Sequence, residues 1–121
     1  MYIHTFVVNL NTYDKMFINC PEYSKVVNIA IRSGQLYITV TSESYVNLYN
    51  GYDSITKTFN IKVLLGIQQN NTHIEKGYKF YNLLRTEIND IIEYYYVFVE
   101  EIKTVAELRD GKIDEIMNQE F

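Results

Sequence analysis

The chain has 121 residues, of which 47% are hydrophobic and 21% charged, and its formal net charge is −4. A chain of this length and apolar content can bury a core without disulfides or metals, which excludes an intrinsically disordered protein. The acidic balance, with only three arginines, argues against a binder of duplex nucleic acid, because such a protein needs a basic face for the phosphates.

Alternation of apolar and polar residues predicts strands through the first half of the chain. A glycine-containing turn, Ser33-Gly34-Gln35, lies between two alternating runs and predicts a β-hairpin there, and Asn50-Gly51 predicts a second tight turn. Cys20 and Pro21 are expected in a loop that joins the first two strands. The predicted strands are at about 2–10, 27–32, 36–41, 45–49 and 54–65.

Lys57 interrupts the apolar face of the last of these strands, so that strand pairing is expected only from about Thr58. Residues 67–77 are polar and have no clear period, which predicts an exposed loop. From residue 78 the spacing changes, and the apolar residues of 79–93 cluster on about half of a helical turn. The pattern predicts one amphipathic helix at about 79–93 that covers the apolar face of the sheet.

Aromatic and β-branched residues return at 94–101 and predict a last strand. Thr104 and Glu107 have the spacing of a capping box, which predicts a helical segment at about 104–118. The predicted fold is therefore a single α+β domain over residues 1–121. It has an antiparallel sheet of five to six strands, one covering helix and a C-terminal helical segment.

The tyrosines are the strongest candidates for a binding surface, because a tyrosine has an apolar body and a polar tip. Along a strand Tyr95 would face one side, and Tyr94 and Tyr96 the other, where they could fill the core, meet another subunit or stack on a ligand. The predicted ligand-binding set joins these two tyrosines, as stacking platforms, to Arg85 and Arg109, as partners for phosphate. Arg109 also begins the cluster 109–112, Arg-Asp-Gly-Lys, which could hold a phosphate.

No metal-binding spacing, phosphate-binding glycine loop or cofactor motif occurs, so no cofactor, metal site or catalytic residue is predicted. His4 and His73 are the only histidines, and a small hydrolase would need one of them beside a carboxylate. Cys20 is the single cysteine, so no intrachain disulfide can form, and its thiol is expected to be inert. No apolar run is long enough for a transmembrane helix, and a cytoplasmic location is expected.

Asparagine and tyrosine each occur 12 times and isoleucine 15 times, and their A/T-rich codons indicate a low-G+C bacterium or its phage. We therefore expect a non-enzymatic binding protein, in the host cytoplasm if phage-encoded. It would be a homo-oligomer that counters a host defence, for example by sequestering a nucleotide-like signal. The first alternative is an acidic inhibitor or adaptor that blocks a host protein through salt-sensitive contacts. The second is a hydrolase that uses His73 or His4. The acids of the first alternative are Glu100, Glu101, Asp110, Asp114 and Glu115.

Overall fold

A computed structural model describes residues 1–10, 15–43, 56–66 and 73–111. These residues form seven strands, followed by one short helix, α1, over residues 105–111. The predicted α+β fold with a long helix over a single sheet is wrong, since the described chain is mostly β. The strands are β1 (Tyr2–Asn9), β2 (Lys15–Pro21), β3 (Lys25–Arg32), β4 (Gln35–Ser42), β5 (Thr56–Leu65), β6 (Lys79–Ile88) and β7 (Ile91–Ile102).

The strands form two antiparallel sheets, one with the order β1-β4-β3 and one with the order β2-β5-β7-β6. The inner faces of both sheets contribute to one hydrophobic core, as alternating strands do when each sheet covers the other. The alternation predicted for β1, β4 and β5 is confirmed, because their apolar residues pack in this core. The buried core residues are Ile18, Cys20, Ile29, Leu36, Ile38, Val40, Phe59, Ile61, Val63 and Val97.

The segment predicted as a helix, residues 79–93, is a β-hairpin formed by β6 and the start of β7. Its two turn residues, Asn89 and Asp90, both have positive φ, at 51° and 64°. Two successive residues of this kind form a type I′ turn, which matches the twist of the flanking strands, and Asn and Asp tolerate this conformation better than most residues. Ile88 pairs with Ile91 directly across the turn.

The apolar residues of β6 have the spacing of a helix because the strand carries apolar residues on both faces and contains a β-bulge. Tyr81 and Leu84 pack against the core, while Phe80 and Leu83 are exposed. The register shifts between Phe80 and Asn82, so the strand contains one extra residue there. This residue reverses the alternation of inward and outward side chains along β6. The resulting apolar pairs 80–81 and 83–84 lie three residues apart, which is the spacing of a helix face.

A second strand was missed, because β2 occupies the region predicted as a loop around Cys20 and Pro21. Its sequence alternates correctly, with Met16, Ile18 and Cys20 facing the core. In β3 a bulge between Val26 and Asn28 turns Val26 to the core and leaves Val27 exposed, which corrects the expected inward position of Val27.

The β3–β4 hairpin is confirmed, with positive φ at Ser33 and Gly34, and so is a helical start after Thr104. The predicted strand at 45–49, the Asn50-Gly51 turn and residues 112–118 of the predicted C-terminal helix lie outside the described residues. Within the ranges that the structure describes, no helix is long and apolar enough to cross a membrane.

Candidate ligand-binding cleft

A cleft of about 550 Å³ opens where the two sheets separate at one end of the core. The start of β3 forms one side, and the bulged start of β6 with the end of β7 forms the other. This volume is in the usual range for small-molecule sites, about 300–1,000 Å³. The residues that line the cleft are Ser24, Lys25, Val26, Phe59, Gly77, Lys79, Phe80, Tyr81, Val99, Glu101 and Lys103.

Three lysines, Lys25, Lys79 and Lys103, line this cleft, and we call them the lysine rim. They come from three different strands or strand ends, so only the fold brings them together. All three are exposed, and none of them forms a salt bridge with another residue in the described ranges. These three cations concentrate positive charge around one concavity in a chain whose net charge is −4.

Aromatic side chains form the apolar wall of the same cleft. Phe59 is buried at its base, Tyr81 is half-buried, and Phe80 is more than half exposed at the entrance. Burial raises the pKa of the Tyr81 hydroxyl, so this group is a neutral hydrogen-bonding phenol at physiological pH. The cleft therefore combines flat apolar surfaces with positive charge.

The one carboxylate that lines the cleft, Glu101, is already paired with a lysine from the interior. Lys57, whose side chain is only 2% exposed, donates hydrogen bonds to Glu101 and to Glu107. Its ammonium group also lies 5.0 Å from the centre of the Phe59 ring. We call Lys57, Glu101 and Glu107 the Lys57 cluster.

The charge state of this cluster follows from its contacts. Burial by itself would lower the pKa of Lys57, but hydrogen bonds and attraction from Glu101 and Glu107 raise it above its ordinary value. Burial likewise would raise the pKa of Glu107, but the hydrogen bonds from Lys57 and from the backbone of Thr104 lower it. Lys57 and Glu107 therefore both carry their charges, as a buried ion pair requires.

Helix α1 delivers Glu107 to this cluster through the predicted capping box, which is confirmed. The backbone N–H of Glu107 donates to the Thr104 hydroxyl at 3.2 Å, and the Thr104 N–H donates to the Glu107 carboxylate at 3.1 Å. The Thr104 hydroxyl also donates to Glu22 at 2.8 Å, and Tyr23 donates to Asp110. The β2–β3 turn thus holds the helix against the end of the sheet.

Three of the four predicted ligand-binding residues lie together, but not in this cleft. Arg85 pairs across the strands with Tyr94, and Tyr96 lies on the same outward face of the four-stranded sheet, while Tyr95 packs against the core. Arg85 contacts Glu87 at 3.2 Å. Arg109 is in α1, beyond the end of β7 at Ile102. Tyr94 lies eight strand residues before Ile102, which at about 3.3 Å per residue is roughly 26 Å, so Arg109 is far from the tyrosines.

The residues considered for catalysis are separated. His4 is in β1 and packs edge-on against Phe6, whereas His73 is exposed before β6. Glu75, two residues after His73, contacts Lys15 at 2.6 Å instead. Cys20 is buried, and its burial raises the pKa of the thiol, which disfavours the nucleophilic thiolate. The described residues contain no group of three side chains suited to a metal ion.

The acids proposed for an inhibitor are largely engaged within the chain. Glu101 is paired with Lys57, Glu100 accepts a hydrogen bond from Asn60 at 2.8 Å, and Asp110 accepts one from Tyr23. Asp114 and Glu115 lie outside the described residues.

Sequence reasoning missed both the lysine rim and the Lys57 cluster. The rim has no local signal, because its members are 24 or more residues apart in sequence. Lys57 did carry a signal, since it occupies an inward position of an alternating strand, where an unpaired charge is costly and an acidic partner is expected. Comparisons of this chain with models of protein families, with curated proteins and with solved structures found no match.

Proposed function

We propose that this protein acts by binding a small anionic molecule that carries a flat ring, such as a nucleotide, in the cleft between the two sheets. The observation that supports this proposal is the lysine rim beside Phe80 and Tyr81. We therefore propose the cleft as the ligand site, with the Arg85–Tyr94–Tyr96 surface as the competing site.

The charges of the rim suit a phosphate-bearing ligand. Each lysine carries three donors on a flexible stem, so Lys25, Lys79 and Lys103 can adapt to one or two phosphate groups at the entrance. Lys57 carries one positive charge against the two carboxylates Glu101 and Glu107, so the Lys57 cluster leaves one net negative charge beside the three positive charges of the rim. The positive rim would also speed the encounter with an anion, although the protein as a whole is acidic.

The aromatic wall suits the ring of the ligand. A nucleobase stacked on an aromatic side chain contributes about 1–3 kcal/mol. Phe80 is exposed at the entrance and already touches Phe98 edge-on, with ring centres 5.7 Å apart, so it is held in place before a ligand arrives. A preorganised ring loses less entropy on binding.

Isothermal titration calorimetry with AMP, ADP and a cyclic dinucleotide tests the proposal. Adenosine and inorganic pyrophosphate serve as half-ligands, since adenosine measures stacking alone and pyrophosphate measures charge alone. We expect binding of at least one nucleotide, and we expect Lys79→Ala to raise its Kd by about tenfold, the value of one exposed charged hydrogen bond.

Arg85→Ala is the matched control, because Arg85 is an exposed cation of the same strand on the other face. The Kd of the Arg85→Ala protein for the nucleotide should equal that of the unaltered protein. Loss of binding in Arg85→Ala with unchanged binding in Lys79→Ala would move the site to the tyrosine surface. An absence of heat with all three nucleotides and with pyrophosphate would overturn the proposal.

The wider role follows from amino-acid usage rather than from this cleft. Sequestration of a nucleotide-like signal by a phage-type protein remains our hypothesis for that role, and an acidic inhibitor or a hydrolase remains its alternative. The inhibitor hypothesis depends on acids of which three are already hydrogen-bonded within the chain. The hydrolase hypothesis depends on His4 or His73, for which the structure provides no nearby carboxylate among the described residues.

A further inference from the structure

The outward face of the four-stranded sheet presents many exposed apolar side chains, most of them on β6 and β7. The register places Phe80 opposite Phe98 and Leu83 opposite Tyr96, all pointing away from the core. Seven large side chains on this face are between 41% and 66% exposed, and we call them the outer aromatic face. They are Phe17, Phe80, Leu83, Ile92, Tyr94, Tyr96 and Ile102.

The described chain covers only one side of this face. The segment 73–78 lies across β2 and β5, where Glu75 contacts Lys15 at 2.6 Å and Lys62 at 3.7 Å. The side formed by β6 and β7, which carries Leu83, Tyr94 and Tyr96, has no described element over it.

The area of the face matches the need of a stable dimer. Exposed side chains of this size present about 150–250 Å² each, so seven that are about half exposed leave on the order of 500 Å² of apolar surface. A standard interface buries about 800 Å² per partner, of which about 65% is apolar in homodimers. The outer aromatic face supplies that apolar portion.

The charges at the face favour a second copy over a charged partner. Three bases and three acids lie on or beside it, and the structure pairs Arg85 with Glu87 at 3.2 Å and Lys15 with Glu75. The face is therefore neutral although the chain carries −4, so two copies meet here without net repulsion. The six residues are Lys15, Lys62, Arg85, Glu75, Glu87 and Glu100.

We infer that the outer aromatic face is the interface of a homodimer, in which two copies pack their four-stranded sheets against each other about a twofold axis. Such an interface is self-complementary, because the same surface of both copies is buried. The cleft opens elsewhere, and Leu83, Tyr94 and Tyr96 do not line it. Phe80 belongs to both surfaces, so the dimer interface and the proposed ligand site share this one residue and are otherwise separate.

Sedimentation equilibrium of three proteins tests this inference. Leu83→Lys places a charge within the face, on the edge strand β6, and Val27→Lys places the same charge on the other sheet. Leu83 is 47% exposed and Val27 51% exposed, so neither change disturbs the core. We expect a dimer for the unaltered protein and for Val27→Lys. For Leu83→Lys we expect a dissociation constant raised by at least about tenfold.

Circular dichroism must show the same strand content in all three proteins. If Leu83→Lys does not fold, Ile92→Lys replaces it, since Ile92 is 42% exposed and lies opposite Glu87, which can pair with the new lysine. A monomeric unaltered protein, or equal weakening by Val27→Lys, overturns the inference. Nucleotide titration of Leu83→Lys separates the two proposals, because its cleft is intact.

Discussion

The lysines near Glu101 fall into two sets that differ in burial and in pairing. Lys57 is buried, and both of its partners are carboxylates of the same chain. Lys25, Lys79 and Lys103 are exposed at the cleft and form no salt bridge with a described residue. The same residue type is therefore paired within the chain at one position and forms no salt bridge with a described residue at three others.

The difference shows that burial and pairing matter more than residue type for locating a site. A buried ammonium group must be paired, so the Lys57 cluster ties β5, β7 and α1 together at the end of the sheet. The rim lysines are solvated and lose little by having no partner, so an incoming anion can use their full charge. Removing the charge of one lysine from each set tests this difference.

The largest effect is expected for Lys57→Met, which keeps the length of the side chain and removes its charge. Glu107, which is 7% exposed, is then left buried without its cation. Breaking a buried pair in this way costs about 3–5 kcal/mol. Urea denaturation should show this loss as a lower midpoint, with no change in slope.

Lys79→Met is the matched control, and we expect a change in stability within about 0.5 kcal/mol, as for most surface substitutions. The double variant Lys57→Met/Glu107→Gln should recover part of the loss, since it removes the uncompensated charge. If Lys57→Met and Lys79→Met were equally stable, the distinction between the two sets of lysines would be wrong.

A smaller effect is expected for Thr104→Ala. This change removes the hydroxyl that caps α1 and that also donates to Glu22, so Glu107 is held less firmly against Lys57. Loss of an N-cap costs about 1 kcal/mol, and thermal unfolding should show it. Thr104→Ser keeps the hydroxyl and serves as its control. An unchanged melting temperature in Thr104→Ala would mean that α1 does not anchor the cluster.

The smallest effect is expected on acidification. The pKa of Glu107 is lowered below its ordinary value of 4.5, so its ionised form stabilises the fold above that pH. This contribution is lost as the pH falls through the lowered pKa of Glu107. Thermal unfolding followed from neutral pH downwards should show this loss.

Glu107→Gln provides the comparison for the acid dependence. It is expected to be less stable than the unaltered protein at neutral pH, and the difference should shrink as the pH falls below 4.5. A difference that stayed constant over this range would exclude ionised Glu107 as the stabilising partner of Lys57.

The predicted fold failed where a strand carried apolar residues on both of its faces. In β6 the pairs Phe80-Tyr81 and Leu83-Leu84 imitate a helix stripe, and only the register with β7 shows that a bulge separates them. One local signal pointed to the strand nonetheless, namely the Asn89-Asp90 turn. The strand β2 alternates regularly and could also have been predicted.

The candidate site was predictable only in part. Strand alternation predicted that Tyr94 and Tyr96 share one face and that Tyr95 takes the other. It did not predict that this shared face points outward or that Arg85 lies beside it, because both depend on how β6 and β7 pair and pack. Arg109 was predicted as a phosphate partner because it begins the Arg-Asp-Gly-Lys cluster, and the structure places it beyond the far end of β7.

The sequence by itself determined the alternation of most strands, the Ser33-Gly34 hairpin and the cap of α1, because each of these depends on residues within a few positions of one another. The tertiary structure alone decided the division into two sheets, the pairing of Lys57 with Glu101 and Glu107, and the meeting of three lysines at one cleft. These features join residues that are tens of positions apart. Strand order and register fix such contacts, and neither is encoded in any short stretch of the chain.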